Sequence, residues 1–351
     1  MTSRTETAPS GFTAAAFWVR APGQGDIRPV ALPEPGPGEV LVRTVHSGVS
    51  RGTETLVFRG GVPKSQWEEM RAPFQDGSFP GPVKYGYLSV GVVERGPDDP
   101  DDLDDLDDLV GRTVFCLHPH QTAYVVPASA VVPVPDDVPA RRAVLAGTVE
   151  TALNALWDLG PLVGDRVTVV GAGMVGCCVA RLLARIPEVE VALVDVDPGR
   201  AEVAEQLGVA FQSPRDATGR RDAVVHTSAT ASGLQLSLDL LAPEGTVLDL
   251  SWYGDRRVHL DLGGAFHAGR LAVRASQVGA IAPARRSSRT HADRLALALR
   301  LLRDPAYDAL LTGESPFADL PEVMAALESG ALPALCHTIA YPVPTPTERT
   351  C

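Results

Sequence analysis

Residues Val167–Asp197 read VTVVGAGMVGCCVARLLARIPEVEVALVDVD, and this stretch decides the fold. Val167 to Val170 are four β-branched residues in a row, the signature of a buried strand. Gly171, Gly173 and Gly176 follow as G-x-G-x-x-G, and the apolar residues after them fall at helical spacing. A second strand, VEVALV, then closes on Asp195. G-x-G-x-x-G alone is weak, but strand, glycines, helix and an acid about 20 residues further on form the context that gives it meaning. In that context Gly171 allows the tight turn and Gly173 lets the backbone approach a pyrophosphate. Gly176 lets the helix pack on the strand. The start of the helix offers N–H groups and partial positive charge to phosphates, so Met174 and Val175 share the cradle. The Asp195 carboxylate is placed to accept hydrogen bonds from adenosine ribose hydroxyls. It would repel a 2′-phosphate, so NAD is expected rather than NADP. A glycine turn in an α/β protein without cofactor is the plainer reading, and it leaves the coincidence of acid and glycines unexplained. Asp197, followed by Pro198, reads better as a cap for the next helix. Arg200 stands either near the adenosine or as an ordinary exposed helix arginine.

Outward from this stretch the pattern alternates. From Asp165 to about Val278, strands (DRVTVV, VEVALV, DAVVHTS, GTVLDLSWY) alternate with helices (MVGCCVARLLARI, GRAEVAEQLG, ASGLQLSLDLLAP), and RLAVRASQV is expected as an edge strand. Such alternation implies right-handed crossovers and a doubly wound parallel sheet. Upstream, the segments EVLVRTV, LSVGVVERG, LVGRTVFCL and TAYVVPASAVVPVP are short and β-branched, with Gly, Pro or Asp at their ends. They suggest a partly open barrel. ARRAVLAGTVETALNALWDLG reads as one connecting helix. After Arg289 come two amphipathic helices and a last strand, LCHTIAYP, expected to return to the first domain. The expected domains are 1–157, 158–285 and 286–351.

The chain has 351 residues, which suits two domains. Its net charge of −12 argues against nucleic acid as the main partner, because phosphate contacts need clustered Lys and Arg. No run of about 18 apolar residues predicts a membrane span. The first residues lack the basic start and apolar block of a secretory signal, and 2–10 read as a frayed tail. Much of the acidity lies in DDPDDLDDLDDL, residues 98–109. Like-charge blocks are usually solvated loops, and the glycine turn and closing glutamate of a calcium loop are missing. The five cysteines form no CxxC pair, which suits free thiols in a reducing cytoplasm.

PEPGPGEVLVRTVHSGVSRGTE, GPVKYGYLSVGVVERGP and VVGAGMVG, in this order, resemble the first strand and catalytic loop, the G-H-E segment and the nucleotide turn of the medium-chain dehydrogenase/reductases of the alcohol dehydrogenase type. The likeness covers nearly the whole chain. It implies a GroES-like catalytic domain beside a Rossmann domain. GVSRGTE and the SWYG segment are most similar to the bacteriochlorophyllide a dehydrogenase-like branch. The resemblance also implies that Arg51 contacts the cofactor pyrophosphate, a bidentate role a guanidinium suits. Thr227 and Ser228 follow the fourth Rossmann strand, where the family's chain passes the cofactor; a helix cap is the plainer role.

Zinc-dependent members hold their metal with Cys in the first loop, His in the G-H-E segment and Cys in the linking helix. Here those positions read Ser50, Tyr87 (in Gly86-Tyr87-Leu88) and Gly147. The four-cysteine structural lobe is missing too, so no metal is expected. A replacement site from Glu54, His118, His120 and Glu150 would not meet zinc-ligand spacing.

Without zinc, a side chain must polarise the reacting oxygen and move a proton. Matched positions offer Tyr87, Lys84, Tyr85, Ser50, Glu54 and Glu150, and the loop HPHQTAYVV adds His118 and His120. Tyr87 either donates to a substrate oxygen or stands as a cleft-wall aromatic. Lys84 lowers a neighbouring tyrosine pKa or is simply solvated. His120 is the natural proton carrier near neutral pH, or a loop histidine facing water. His46 reads as structural. His226 either meets the cofactor or packs in the core. Trp252, Tyr253 and Gln277 are candidates for the nicotinamide side. Residues 60–80, with Trp67, Met70 and Phe74, form either a lid over a fairly large apolar substrate or packing for their own domain.

The expectation is a zinc-independent, NAD-linked alcohol/carbonyl oxidoreductase acting on a small molecule, with no nucleic acid or membrane partner. A homodimer is expected through the strand near Leu271–Val278. Quinone or enoyl reduction is the alternative chemistry, which Asp195 disfavours because those relatives prefer NADPH. A non-catalytic dinucleotide sensor is the alternative of another class.

Overall fold

The structure is a computed structural model describing residues 12–96 and 109–342. The acidic stretch, save Leu109, and the tail 2–10 lie outside the described residues. Two sheets dominate. The first is six-stranded and wholly parallel, in the order Ala210–Gln212, Glu190–Val194, Arg166–Val170, Arg221–His226, Leu241–Asp249, Ala272–Ala275. In chain order that is 3-2-1-4-5-6, the doubly wound Rossmann arrangement. Its strand order reverses between Arg166–Val170 and Arg221–His226. The crevice beyond their carboxyl ends is where such sheets take ligands.

Val167, Val169, Val224 and Val225 on these strands are fully buried. Each contributes about 1.5–3 kcal/mol over an exposed side chain. The helix Met174–Leu183 packs there through Cys177, Cys178, Val179 and Ala180, all without exposure. Burial pushes the Cys177 thiol up to about 12, so it behaves as a small apolar side chain. The strand Ala272–Ala275 is exposed along its length and ends the sheet as the sequence pattern implied.

The second sheet has seven strands. Leu311–Pro316, Cys336–Ala340, Glu39–Ser50, Ser89–Arg95, Thr113–Cys116 and Val131–Pro133 follow one another, and Ala123–Pro127 also pairs with Glu39–Ser50. Cys336–Ala340 runs antiparallel to Glu39–Ser50, with Cys336 opposite Ser50. A smaller four-stranded sheet orders Gln24–Leu32, Phe12–Ala21, Val83–Lys84 and Asp76–Gly77, and one bridge, Ala16 to Gln121, links it to the larger one. These sheets form the GroES-like part.

The expected single connecting helix is two, Ala140–Ala143 and Ala146–Leu159. The longer one ends at Gly160, whose φ of 66° suits a left-handed cap. Its buried Val149, Ala152 and Leu153 join one apolar cluster with Val167, Val169 and Cys177, so a continuous core backs the crevice from below. Residues 60–80 pack on their own domain. Trp67 lies against the cluster of Phe17, Val57 and Phe79, with its Nε1 donating to Val62 O at 3.0 Å. Gln66 also reaches across to accept from Trp252 Nε1 at 2.8 Å. Among the described residues, no helix is long and apolar enough to cross a membrane.

Candidate active site

A cavity of about 950 Å³ lies between the parallel sheet and the helix Arg51–Phe58. Its Rossmann wall is made of Gly171, Gly173, Met174, Val175, Gly176, Asp195, Arg200, Thr227 and Ser228, so all the sequence-expected residues of that wall meet on one surface. Gly171 sits at φ +110°, and a Cβ there would meet Thr227 Oγ1 at 2.7 Å and Ser228 N at 2.8 Å. At Gly176 the constraint is absolute: a Cβ would stand 1.9 Å from Gly171 O. Gly173, by contrast, has nothing within 4 Å of its Cβ position, which leaves its backbone open to an approaching group. The first N–H groups of the helix Met174–Leu183 have no intrahelical partner and open on the same side.

Asp195 ends the strand Glu190–Val194. Its Oδ2 accepts from Ala172 N at 2.6 Å and its Oδ1 from Asp197 N at 2.9 Å. A carboxylate has about four lone-pair sites, so two remain for hydroxyl donors. Asp197 accepts from Gly199 N at 2.9 Å and pairs with Arg200 at 3.2 Å, which holds that guanidinium beside the cavity. Thr227 Oγ1 donates to Gly171 O at 2.8 Å and so ties the fourth strand's end to the glycine turn. The helix cap is Thr230, whose hydroxyl accepts from Gly233 N at 3.0 Å, not Thr227 or Ser228. The residues present therefore fit a dinucleotide: glycines where a Cβ would collide, open backbone where phosphate must approach, and spare acceptors at the ribose position.

The opposite wall carries Ser50, Arg51, Gly52, Thr53 and Leu56. Tyr87 OH donates to Ser50 Oγ at 2.7 Å, so the serine proton is free to face the cavity. Burial and the nearby Glu54 carboxylate push the Tyr87 phenol up to about 12, and burial, Tyr87 and Glu54 raise Tyr85 well above its ordinary value. Neither tyrosine is lowered by Lys84. That lysine is buried, donates to Gln121 Oε1 at 3.0 Å and is itself lowered by burial. Arg51 lines the cavity and donates to Ala334 O at 3.2 Å.

His120 is not a loop histidine facing water. It is 1% exposed and bonded through both ring nitrogens, Nε2 to Glu54 Oε2 at 2.8 Å and Nδ1 to Ser47 Oγ at 2.7 Å. Ser47 in turn meets Tyr341 OH at 2.9 Å, and Glu54 Oε1 accepts from Ser50 N at 2.7 Å. This buried chain orients Ser50 from behind. Ser47 and Tyr341 are members the sequence did not flag, because nothing local marks a partner 294 residues away.

Glu150 points elsewhere. It is buried against Arg294 Nε at 3.0 Å, and that guanidinium also binds Asn154 Oδ1 at 2.6 Å and Val278 O. Burial raises the Glu150 carboxyl, with Arg294 opposing. Gln277 folds onto its own loop, accepting from Gly279 N at 2.6 Å. His118 stacks on Tyr124 at 3.8 Å, and burial holds it neutral, pushed down to about 3.

The positions a zinc site of this fold would use do not fit a metal. Ser50 and Tyr87 are hydrogen-bonded to each other. A Cβ at Gly147 would meet Leu88 Cδ2 at 2.6 Å, so aliphatic packing fills that place. Of Glu54, His118, His120 and Glu150, Glu54 and His120 bond each other, while Glu150 is paired with Arg294 and His118 is stacked on Tyr124. Among the described residues, no group of three or more His, Cys, Asp or Glu is placed to hold an ion.

His226 is fully buried and bonded at both nitrogens, to Asp249 Oδ1 at 2.9 Å and Ser228 Oγ at 2.7 Å. Tyr253 does not line the cavity but joins this cluster, donating to Asp249 Oδ2 at 2.9 Å. Trp252 does line it.

Comparison with known proteins bears on this geometry. No family model matches the chain. A 2-desacetyl-2-hydroxyethyl bacteriochlorophyllide A dehydrogenase of Cereibacter sphaeroides is 30% identical over 167 residues, 44% of this chain and 48% of that protein. An L-threonine 3-dehydrogenase of Deinococcus radiodurans is 26% identical over 207 residues, 51% and 55% of the two chains. The chain thus spans about half the length of these curated relatives. Among solved structures, an alcohol dehydrogenase of Escherichia coli CFT073 complexed with NADH superposes with a TM-score of 0.74 at 16% identity, covering 93% of this chain and 99% of that one. A structure described as a zinc-binding dehydrogenase of Sinorhizobium meliloti 1021, bound to NADP, gives 0.74 at 17% identity, covering 94% and 99%. Over nearly its whole length the chain has the fold of these dehydrogenase structures, and over about half of it the sequence is similar to the two named dehydrogenases.

Proposed function

We propose that the chain is a zinc-independent, NAD-linked oxidoreductase that moves a hydride between the nicotinamide and an alcohol or carbonyl carbon of a small-molecule substrate. One observation carries the reading: a glycine cradle with a carboxylate at its ribose end faces Ser50, whose Oγ accepts from Tyr87 behind it, across a single cavity. Both named relatives in sequence are dehydrogenases, and the neighbours in fold carry NADH or NADP. Asp195 favours NAD, since a 2′-phosphate beside it would meet like charge. Domain limits at 1–157, 158–285 and 286–351 remain part of this reading.

Gly171, Gly173 and the start of the helix Met174–Leu183 would hold the pyrophosphate, with Arg51 opposite. Asp195 and Arg200 would hold the adenosine end, and Thr227 and Ser228 the middle of the cofactor. When bound, the nicotinamide supplies or accepts the hydride. The chain's own work at the reacting centre falls to Ser50, which would donate a hydrogen bond to the substrate oxygen and so polarise it. Tyr87 would reinforce it by donating to Ser50 Oγ, and a phenol pushed up to about 12 keeps its proton at neutral pH. Glu54 and His120 act behind Ser50 as positioning residues. Lys84 and Glu150 take no part, since both are bound away from the cavity. A substrate of medium to large size belongs to this proposal as well. Quinone or enoyl reduction has no specific observation in its favour. Metal analysis of the purified protein tests the zinc-independent part: under 0.1 zinc per chain is expected, and one tightly bound zinc per chain would overturn it.

A further inference from the structure

Behind the Rossmann wall the cluster of Ser228, His226, Asp249, Ser251 and Tyr253 has one consistent proton arrangement. Asp249 accepts from the Ser251 backbone N–H at 2.9 Å and from Tyr253 OH at 2.9 Å. Burial acts to raise its carboxyl, but the hydrogen bonds from His226 and Ser251 leave it lowered, so it is ionised and only accepts. When the imidazole holds a single proton, His226 Nδ1, 2.9 Å from the Asp249 Oδ1 acceptor, is the nitrogen that carries it. Nε2 is left as the acceptor, and the group 2.7 Å from it is Ser228 Oγ. Ser228 therefore spends its only proton inward. Thr230 lies 2.9 Å away; its Oγ1 already accepts from Gly233 N, so its own proton goes to Ser228. One lone pair of Ser228 remains, and Ser228 lines the cavity, with its backbone N against the Gly171 turn.

We propose that His226 and Asp249 are positioning residues that lock Ser228 as a hydrogen-bond acceptor for a hydroxyl donor of the bound dinucleotide, of the ribose class. The inference rests on the dinucleotide reading above. It says more than that Ser228 touches the cofactor: it fixes which partner donates. It also ties the acceptor to a single proton on the ring. If the imidazole gains a second proton, Nε2 becomes a donor, and Ser228 must accept from it. Its own proton then turns outward, and the acceptor is lost. The groups facing the ring are Asp249, Ser228, Ser251 and Tyr253, and among them the Asp249 carboxylate carries the charge.

The test is titration of the full chain with NADH between pH 5 and 8, read by energy transfer from tryptophan, since Trp252 lines the cavity. Ser228→Ala should raise the NADH Kd roughly three- to tenfold at pH 8, the scale of one hydrogen bond. Where wild-type affinity falls on acidification, Ser228→Ala should flatten that dependence. Ser228→Thr, which restores the hydroxyl, should recover both. His226→Gln and Asp249→Asn should behave like Ser228→Ala. Ser228 is only partly buried, so its variant keeps the test open if a buried one fails to fold. NADH binding by Ser228→Ala with wild-type affinity and wild-type pH dependence overturns this inference and leaves the dinucleotide reading standing. Failure of the wild type to bind either NADH or NADPH overturns both.

Discussion

Two buried imidazole–carboxylate pairs flank the cleft, and they differ in what they reach. On the GroES-like side, His120 lies between Glu54 and Ser47, and Glu54 spends its other oxygen on the Ser50 backbone. No side-chain hydroxyl connects the ring to the cavity, so the pair acts as a brace for the loop that presents Ser50. On the Rossmann side, His226 and Asp249 end on Ser228, a residue that lines the cavity. The same two functional groups make a scaffold in one place and a directed acceptor in the other. The third hydroxyl decides which. A perturbed or buried histidine near a cleft is thus weak evidence of chemistry until its second nitrogen is followed outward.

The largest effect that sharpens this contrast comes from a buried ion pair, Arg294 with Glu150, which touches neither wall. Arg294→Met should cost about 3–5 kcal/mol in chemical denaturation, because it strands the Glu150 carboxylate in the core. NADH affinity of the folded fraction should stay unchanged. A loss of affinity with stability intact would return Glu150 to the site. Next comes Gly176→Ala. A Cβ 1.9 Å from Gly171 O forces the helix off its strand, at about 1–3 kcal/mol of stability, and NADH binding should weaken by more than tenfold. Binding at wild-type strength would mean that the glycine turn is not the cradle. The smallest effect belongs to the other wall. Tyr87→Phe removes only the proton given to Ser50, so NADH affinity should be unchanged within twofold, and turnover of any substrate should fall by about tenfold through kcat. A change confined to KM would make Tyr87 a wall aromatic.

The Rossmann wall was legible because its constraints are local in sequence. Three glycines, an adjacent strand and an acid two strands' length away specify one backbone geometry, and the turn's collisions at Gly171 and Gly176 show why. The opposite wall was only partly legible. Position matching brought Ser50 and Tyr87 forward, and they do meet. It also brought forward Lys84 and Glu150, which the tertiary structure turns toward Gln121 and Arg294. A charged residue's partner is set by packing between distant segments, and no spacing in the sequence encodes it. The same holds for His120, whose enclosure needs Ser47 and Tyr341, and for Asp249, which reads as an ordinary strand-end acid. The split of the connecting helix after Ala143 also escaped periodicity, because Val144 and Leu145 continue the apolar pattern.

The most direct measurement compares NADH and NADPH binding by the wild type and by Asp195→Ala. The account predicts tighter binding of NADH than NADPH by the wild type, with NADH weakened about tenfold in the variant and the preference for it lost, since two ribose acceptors and one repelling charge go together. Equal affinities in the wild type, or a variant that keeps the wild-type preference, would contradict it.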